Sequence, residues 1–325
     1  MKILQEIIIG KNESEQRLDR FVKKYLGEAS SGFIYRMIRK KNIEINNSRA
    51  KPETIILEGD KIQFFLSDET IEKFKTKEKE VKSNLIPDIV YEDKNIVLIN
   101  KSAGILSHGT SGDFEENVVD SMISYLIEKG DYIPRLEKTF TPAVCNRLDR
   151  NTSGIIIGAK NYQAIKSINQ AIKAGAVRRF YKTIVKGIIK EEFTHSAYLA
   201  KDEDKNKVEI RERSFKDSKE IITVIKPIES KGGYSLLEIE LITGRTHQIR
   251  GHLASLGYPV IGDRKYGNKE VNKKFKDRYF LNNQWLHGYK IQLNGLDRSM
   301  NYLNGKEFIS IASGRLGEIE RDLFK

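Results

Sequence analysis

One short run places a carboxylate between two arginines. From Arg147 to Gly154 the chain reads RLDRNTSG, and an apolar segment with the character of a strand follows. The guanidinium groups of Arg147 and Arg150 are expected to keep Asp149 ionised. An ionised, positioned carboxylate can act as a nucleophile or a base, but it is a poor proton donor. The run therefore predicts a reactive carboxylate on a turn; the alternative is a surface Asp paired with its neighbours.

Two later segments carry further groups that suit an active site. From Thr243 to His252 the chain reads TGRTHQIRGH, and LGYPVIGD then leads to Asp263. Arg178–Lys182 reads RRFYK and lies on a segment that alternates as a strand. These two segments favour the catalytic interpretation of Asp149 over the surface pair.

Together the three blocks resemble those of the pseudouridine synthases of the RluA/RluC/RluD family, and the resemblance extends over about residues 91–287. It implies that Asp149 is the catalytic aspartate, Tyr181 the active-site tyrosine and Arg250 the active-site arginine. The remaining polar residues of these blocks are expected to contact the substrate: Arg147, Arg245, His247 and Gln248.

The resemblance also implies a reaction. Uridine becomes pseudouridine when the bond from N1 to ribose C1′ is broken and remade from C5, with no net redox change, so no cofactor is implied. Asp149 would start it by attacking C1′ or by removing the C2′ proton, and the sequence leaves both routes open. Arg250 would pair with Asp149, while Tyr181 would stack on the flipped base and its phenol would act as the base at C5.

Two positions depart from the family pattern. Asn146 stands where the family has His, and Ser102 stands where it has Pro in a Lys-Pro-x-Gly run. Asn can still supply a donor and an acceptor to hold the turn. Loss of the proline mainly loosens one loop. The departures therefore bear on substrate choice more than on activity.

Composition narrows the partners. The chain has 325 residues, enough for more than one domain, and 57 Lys and Arg against 45 Asp and Glu give a net charge of +12. Such an excess favours a polyanion, here ribosomal RNA, without requiring one. Cys145 is the only cysteine, which excludes a disulfide framework and indicates a small packing residue. The absence of a signal peptide and of a run of about 18 apolar residues predicts a cytoplasmic, membrane-free protein, which we expect to be a monomer.

The first unit reads as a strand, two helices and further strands around an Asn46-Asn47 turn. Cations crowd the end of its second helix, and a helix dipole accounts for only one or two of them. Arg36, Arg39 and Lys40 suit a phosphate-contacting patch. With RLD at Arg17 and a late Gly59-Asp60, this unit resembles the alpha-L RNA-binding domain named after a small-subunit ribosomal protein.

The predicted organisation has three parts. Residues 1–66 form the RNA-binding domain, 67–84 a charged, solvated linker, and 85–325 the catalytic domain. Long strands, short helices and hairpin-like connections in the last part predict an α+β fold on a mostly antiparallel sheet.

No metal site is expected. His247 and His252 are five residues apart, about 500° around a helix, so they do not project together. His108, His195 and His287 have no close liganding neighbours in the sequence. Three functions remain open: an isomerase acting on large-subunit (23S) rRNA, a catalytically silent RNA-binding or ribosome-assembly factor, and a hydrolase that pairs Asp149 with a second carboxylate such as Asp263 and releases free uracil.

Overall fold

A computed structural model describes residues 5–75, 81, 83–109, 115–134, 139–202 and 206–325. The chain forms two compact units. One contains Met1–Lys82, Ile123–Pro142 and Lys160–Gln163, and the other contains Ser83–Met122, Ala143–Ala159 and Ala164–Lys325.

The N-terminal elements are β1 (Gln5–Ile8), β2 (Gln16–Arg17), α1 (Leu18–Tyr25), α2 (Ser31–Arg39), β3 (Ile43–Ile45), β4 (Ser48–Arg49), β5 (Ile55–Ile56), β6 (Lys61–Phe64) and α3 (Asp68–Phe74). The remaining elements are β7 (Ile89–Glu92), β8 (Ile96–Lys101), α4 (Val118–Lys129), β9 (Ala143–Val144), β10 (Ser153–Ala159), α5 (Tyr162–Lys173), β11 (Arg178–Lys186), β12 (Phe193–Asp202), β13 (Lys207–Arg211), β14 (Lys219–Lys231), β15 (Tyr234–Leu241), α6 (Gln248–Ser255), α7 (Lys269–Tyr279), β16 (Leu286–Leu293), a 3-10 turn (Asn301–Leu303), β17 (Lys306–Ile309) and α8 (Gly314–Phe324).

Helices α1 and α2 pack their apolar faces into one core with a small sheet of order β1-β6-β3-β4. Ser30 caps α2 by accepting a hydrogen bond from the Phe33 amide at 3.2 Å. Asn46 and Asn47 both have positive φ, 50° and 61°, as the predicted hairpin turn requires.

The start of the predicted linker is structured. Ser67 caps α3 by accepting from the Thr70 amide, and Ile71 is only 2% exposed in the N-terminal core. Phe74 stacks on Phe33 with ring centroids 4.8 Å apart. The expectation of a solvated segment is wrong here, because two apolar side chains one helical turn apart find a core to enter. Residues 76–80 and 82 of the predicted linker lie outside the described residues.

The catalytic part is built on a sheet whose order is β13-β12-β14-β15-β11-β16-β10-β8-β7, with β17 beside β16 and β9 beside β10. Nearly every pair is antiparallel, which confirms the predicted fold class; β10 and β16 run parallel. At that parallel contact Gly154 faces Gly288 so closely that a Cβ on Gly154 would lie 2.3 Å from the Gly288 carbonyl oxygen. The approach holds the end of the Asp149 turn against the centre of the sheet.

Candidate active site

A cleft of about 610 Å³ collects the three sequence blocks. The Asp149 side chain in it is 25% exposed and therefore accessible to a ligand. The cleft brings together every candidate residue predicted in the catalytic part, namely Asp149, Tyr181, Arg250, Arg147, Arg245, His247 and Gln248.

The turn that carries Asp149 is held from both sides. The Ser107 hydroxyl accepts from the Leu148 amide at 3.1 Å and donates to the Leu148 carbonyl at 2.8 Å. The Asn146 side chain donates to the Ile155 carbonyl at 3.2 Å and accepts from the Ile157 amide at 2.7 Å. Asn146 thus supplies the donor and the acceptor expected of it, and it ties the turn to β10.

A buried lysine closes the same turn from below. Lys101 is 2% exposed, and its Nζ donates to the carbonyls of Ser102, Ile105 and Arg150, each at 2.9 Å. Burial lowers the pKa of Lys101 to about 7, while the nearby Asp149 opposes that shift. Because all three ammonium donors have acceptors, Lys101 holds the loop after β8 against the catalytic turn although Ser102 replaces the proline.

The arginines that flank Asp149 in sequence point elsewhere. Arg150 donates to Glu115 at 2.6 Å and to the Gly104 carbonyl at 3.2 Å, and Arg147 lies 3.5 Å from His108 Nε2. The expectation that these two cations hold the carboxylate ionised is wrong. Successive side chains on a tight turn diverge, so the cation that meets Asp149 comes from another element.

That cation is Arg250 on α6. Its Nη1 donates to Asp149 Oδ2 at 2.9 Å, and its Nε and Nη2 donate to Asp263 at 2.6 and 3.0 Å. Arg250 is 5% exposed and Asp263 is fully buried. Burial opposes the charge on Arg250, but the hydrogen bond and attraction of Asp263 outweigh it and raise the pKa of Arg250. Two carboxylates therefore orient one guanidinium, with one edge left for Asp149.

His247 stands just outside the helix that was predicted to include it. It precedes α6 with φ of 54°, a strained conformation for a residue with a side chain. Its Nε2 lies 3.9 Å from Asp149 Oδ2, and its Nδ1 lies 3.0 Å from the Tyr266 hydroxyl. Burial lowers the pKa of His247, and Asp149 opposes the shift. His247 is thus a second nitrogen donor beside the carboxylate.

Tyr181 lines the cleft from β11 and is 6% exposed. Burial raises the pKa of its phenol, Arg179 opposes that shift and Asp149 adds to it. The hydroxyl therefore stays protonated at neutral pH. Gly288 makes room for the ring, because a Cβ there would lie 3.2 Å from Tyr181 Cε1.

Gln248 is used by the fold itself. Its amide oxygen accepts from the Thr243 hydroxyl and the Arg245 amide, both at 3.0 Å. Its amide nitrogen donates to the Ile222 carbonyl and the Thr223 hydroxyl at 3.2 and 3.1 Å. With every position occupied, this geometry favours a scaffold role over the predicted substrate contact.

A second concave surface lies on the N-terminal unit. This basic groove, about 670 Å³, is lined by Arg36 and Arg39 from α2 together with Arg49 and Lys51. Tyr35 beside it donates to Asp19 at 2.9 Å, and Asp19 also accepts from Arg17. Burial raises the pKa of Asp19, but those hydrogen bonds outweigh it and give a net lowering. Lys40 follows α2 and is not among the groove residues.

Two histidines expected to stand apart lie together. His195 Nδ1 is 2.8 Å from His252 Nε2, and His252 Nδ1 is 2.9 Å from the Thr223 hydroxyl. Within the described ranges, no group of three or more His, Cys, Asp or Glu side chains is placed to hold a metal ion. In the same part of the chain no helix has the length and apolar character to cross a bilayer. Burial raises the pKa of Cys145 to about 12, which makes its thiol unreactive.

Sequence reasoning missed four residues that build this site: Lys101, Ser107, Asp263 as an orienting group, and Tyr266. Lys101 carried a signal, since a lysine at the end of an apolar strand must leave the strand or find acceptors. Ser107 and Tyr266 carried none, because their partners lie far away in the sequence.

Comparison with known proteins gives a consistent result. Residues 95–255 match the family model described as RNA pseudouridylate synthase, and residues 16–62 match the S4 domain. Ribosomal large subunit pseudouridine synthase C of Buchnera aphidicola subsp. Schizaphis graminum is 32% identical over 88% of this chain and 88% of its own. Ribosomal large subunit pseudouridine synthase D of Borreliella burgdorferi is 31% identical over 87% of this chain and 83% of its own. Human RNA pseudouridylate synthase domain containing 4 shares the fold, with a TM-score of 0.56 and 20% identity over 72% of this chain and 91% of its own.

Proposed function

Because this chain belongs to the RNA pseudouridine synthase family, whose members isomerise uridine to pseudouridine, we propose that its substrate is large-subunit (23S) ribosomal RNA and that Asp149 is its catalytic carboxylate. One observation carries the assignment of Asp149. It is the accessible carboxylate of a cleft in which Arg250 meets it at 2.9 Å and Tyr181 lines the wall.

The geometry gives each group a task. Asp149 opens the reaction at C1′ or at the C2′ proton, and Arg250 keeps its carboxylate charged and aimed. Tyr181 offers its ring to the flipped base. Because its phenol is protonated at rest, action as the base at C5 requires it to lose that proton first.

The hydrolase alternative loses its second carboxylate. Asp263 is fully buried and accepts from Arg250 and from the amides of Lys265 and Tyr266 at 2.8 and 3.1 Å. A carboxylate so occupied cannot activate water for attack on the sugar. Free uracil is therefore not expected as a product.

Binding of the RNA is divided between two surfaces in this proposal. Arg147 and Arg245 are exposed at the cleft and suit phosphates near the target, and His247 reaches the same space. The basic groove, with Arg36 and Arg39, would bind RNA beyond the target. Lys40 remains a predicted contact outside that groove. An rRNA substrate places the activity in the cytoplasm, and the protein is proposed to act as a monomer.

The test is tritium release from C5-labelled uridine in 23S rRNA. Asp149→Asn should abolish release while RNA affinity and thermal unfolding stay near those of the wild type. Asp322→Asn is the matched control, since Asp322 is a surface partner of Arg278 at 3.7 Å. Turnover of Asp149→Asn within tenfold of the wild type would refute the assignment. Mapping of pseudouridines in rRNA from cells with and without the protein would identify the uridine.

A further inference from the structure

Strand β11 opens with two arginines whose surroundings differ. Arg178 is exposed and donates to both carboxylate oxygens of Glu240 at 2.6 and 2.7 Å, and also to Gln292 at 3.1 Å. Arg179 is half-buried and lines the cleft with Asp149. Its side chain has no hydrogen bond or ion pair with any residue that the structure describes, and its Nε is buried.

Space has been left for the Arg179 guanidinium. A Cβ on Gly244 would lie 2.8 Å from its Nη1 and 3.2 Å from its Nη2. The backbone of Gly244 does not have a positive φ, so its conformation is open to other residues. The glycine is therefore needed for room, and the loop after β15 is shaped around the end of this side chain.

An unpaired guanidinium at this place needs an acceptor. A buried donor left unsatisfied costs about 1–3 kcal/mol, more when charged. Arg250 in the same cleft is shared by the carboxylates of Asp149 and Asp263, whereas Arg179 has no acidic partner among the described residues. The fold thus holds a cation whose acceptor must come with the ligand.

The reaction supplies such an acceptor. When the N1–C1′ bond breaks, both bonding electrons remain on uracil and the negative charge spreads from N1 to O2 and O4. The C5–C1′ bond then forms, C5 loses its proton to a base and N1 gains one, so the charge is transient. The same anion forms whether Asp149 attacks C1′ or removes the C2′ proton.

Resting on the proposed function, we propose that Arg179 is a further catalytic residue, which binds a uracil carbonyl oxygen and stabilises the uracil anion between bond cleavage and bond formation. Its place on the strand favours the base over a phosphate, because Tyr181 two residues later lines the same cleft. Its buried Nε agrees with this, since phosphates are met by exposed side chains such as Arg147 and Arg245.

The experiment compares Arg179→Gln with Arg178→Gln, the neighbour on the same strand. Single-turnover tritium release is measured at saturating 23S rRNA, with RNA affinity and thermal unfolding measured alongside. Arg179→Gln should slow the rate by about 10²-fold or more, the usual effect of removing one donor to a developing anion, and leave affinity unchanged. Arg178→Gln should keep the wild-type rate.

Two further readouts separate charge stabilisation from structure. Gly244→Ala should displace the flexible guanidinium without unfolding the protein, so its rate should fall and the double variant should be no slower than Arg179→Gln alone. RNA that carries 5-fluorouridine releases a more stable anion, so the deficit of Arg179→Gln should shrink on it.

Three results would overturn the inference. Weaker binding, a salt slope flatter by about one unit and an unchanged rate would make Arg179 a phosphate contact. Lower thermal stability with an additive effect of Gly244→Ala would make it structural. A wild-type rate in Arg179→Gln, with Asp149→Asn inactive, would reject this role and leave the proposed function intact, whereas an inactive wild-type protein would reject both.

Discussion

Asp263→Asn tests whether a buried carboxylate orients the catalytic arginine. Asp263 is fully buried and accepts two hydrogen bonds from Arg250 and two from backbone amides. Asn keeps one accepting oxygen but places an NH₂ group where the other accepted, so it turns a donor toward a donor. Removal of one partner of a buried ion pair costs about 3–5 kcal/mol. Because Arg250 keeps Asp149 as a partner, we expect about 3 kcal/mol, the lower end of that range.

The catalytic effect should exceed what the lost stability explains. With Nε and Nη2 of Arg250 released, nothing fixes the guanidinium edge that meets Asp149, and a misplacement of about 1 Å can cost about 10²-fold in rate. Urea unfolding gives the stability, and single-turnover tritium release at saturating RNA, below the unfolding transition, gives the rate. Asp322→Asn controls for the loss of a surface carboxylate.

Either of two results would refute this reasoning. A stability loss below about 1 kcal/mol would show that the buried pair is dispensable. A full rate in a destabilised protein would show that Asp149 needs no oriented arginine. Free uracil among the wild-type products, lost in Asp263→Asn, would instead restore the hydrolase with two carboxylates.

Three further predictions concern single features. Tyr181→Phe should keep RNA affinity but slow turnover by about 10²-fold, as expected for a lost general base, and equal activity of Phe and wild type would assign the ring alone a role. Burial lowers the pKa of His252 to about 4 against about 6.5 unfolded, so unfolded chains bind the proton first and stability falls as pH drops from 6.5 to 4, by about 3 kcal/mol. His252→Gln should flatten that dependence in urea unfolding at pH 7 and 4.5, and an unchanged slope would exclude His252 as its source. Arg36→Gln with Arg39→Gln should reduce the salt slope of rRNA binding by about two and spare the saturated rate, whereas an equal slope would leave the basic groove without a phosphate role.

Local chemistry made part of this fold predictable. Helices α5 and α6 end within two residues of Gly175 and Gly257, whose φ values of 72° and 84° are those of a helix stop. Helix α7 was missed although it had a readable signal. Val271, Phe275 and Tyr279 recur every four residues and are its buried side chains, but charged residues fill the positions between them. The low mean hydropathy of such a segment hides a stripe that is only three residues long.

The members of the site were predictable, but their pairing was not. Residue type and block order indicated that Asp149, Tyr181 and Arg250 would meet in one cleft. Sequence proximity then misdirected the electrostatics, because it gave Asp149 its neighbouring arginines while the contact comes from a residue 101 positions away. Which arginine reaches a carboxylate depends on how two elements pack, and no local pattern records that.

The arginine pair of β11 makes the same point within two residues. In sequence Arg178 and Arg179 are equivalent cations before an aromatic pair, and neither has an advantage as a ligand for RNA. Alternation of side chains along a strand sends them to opposite sides, where Arg178 meets Glu240 from the neighbouring β15 and Arg179 meets the open cleft. A partner 62 residues away therefore decides which arginine is structural and which is available. Because availability arises from the tertiary fold, a search for substrate-binding cations in this chain has to start from arginines whose charge the fold leaves unmatched.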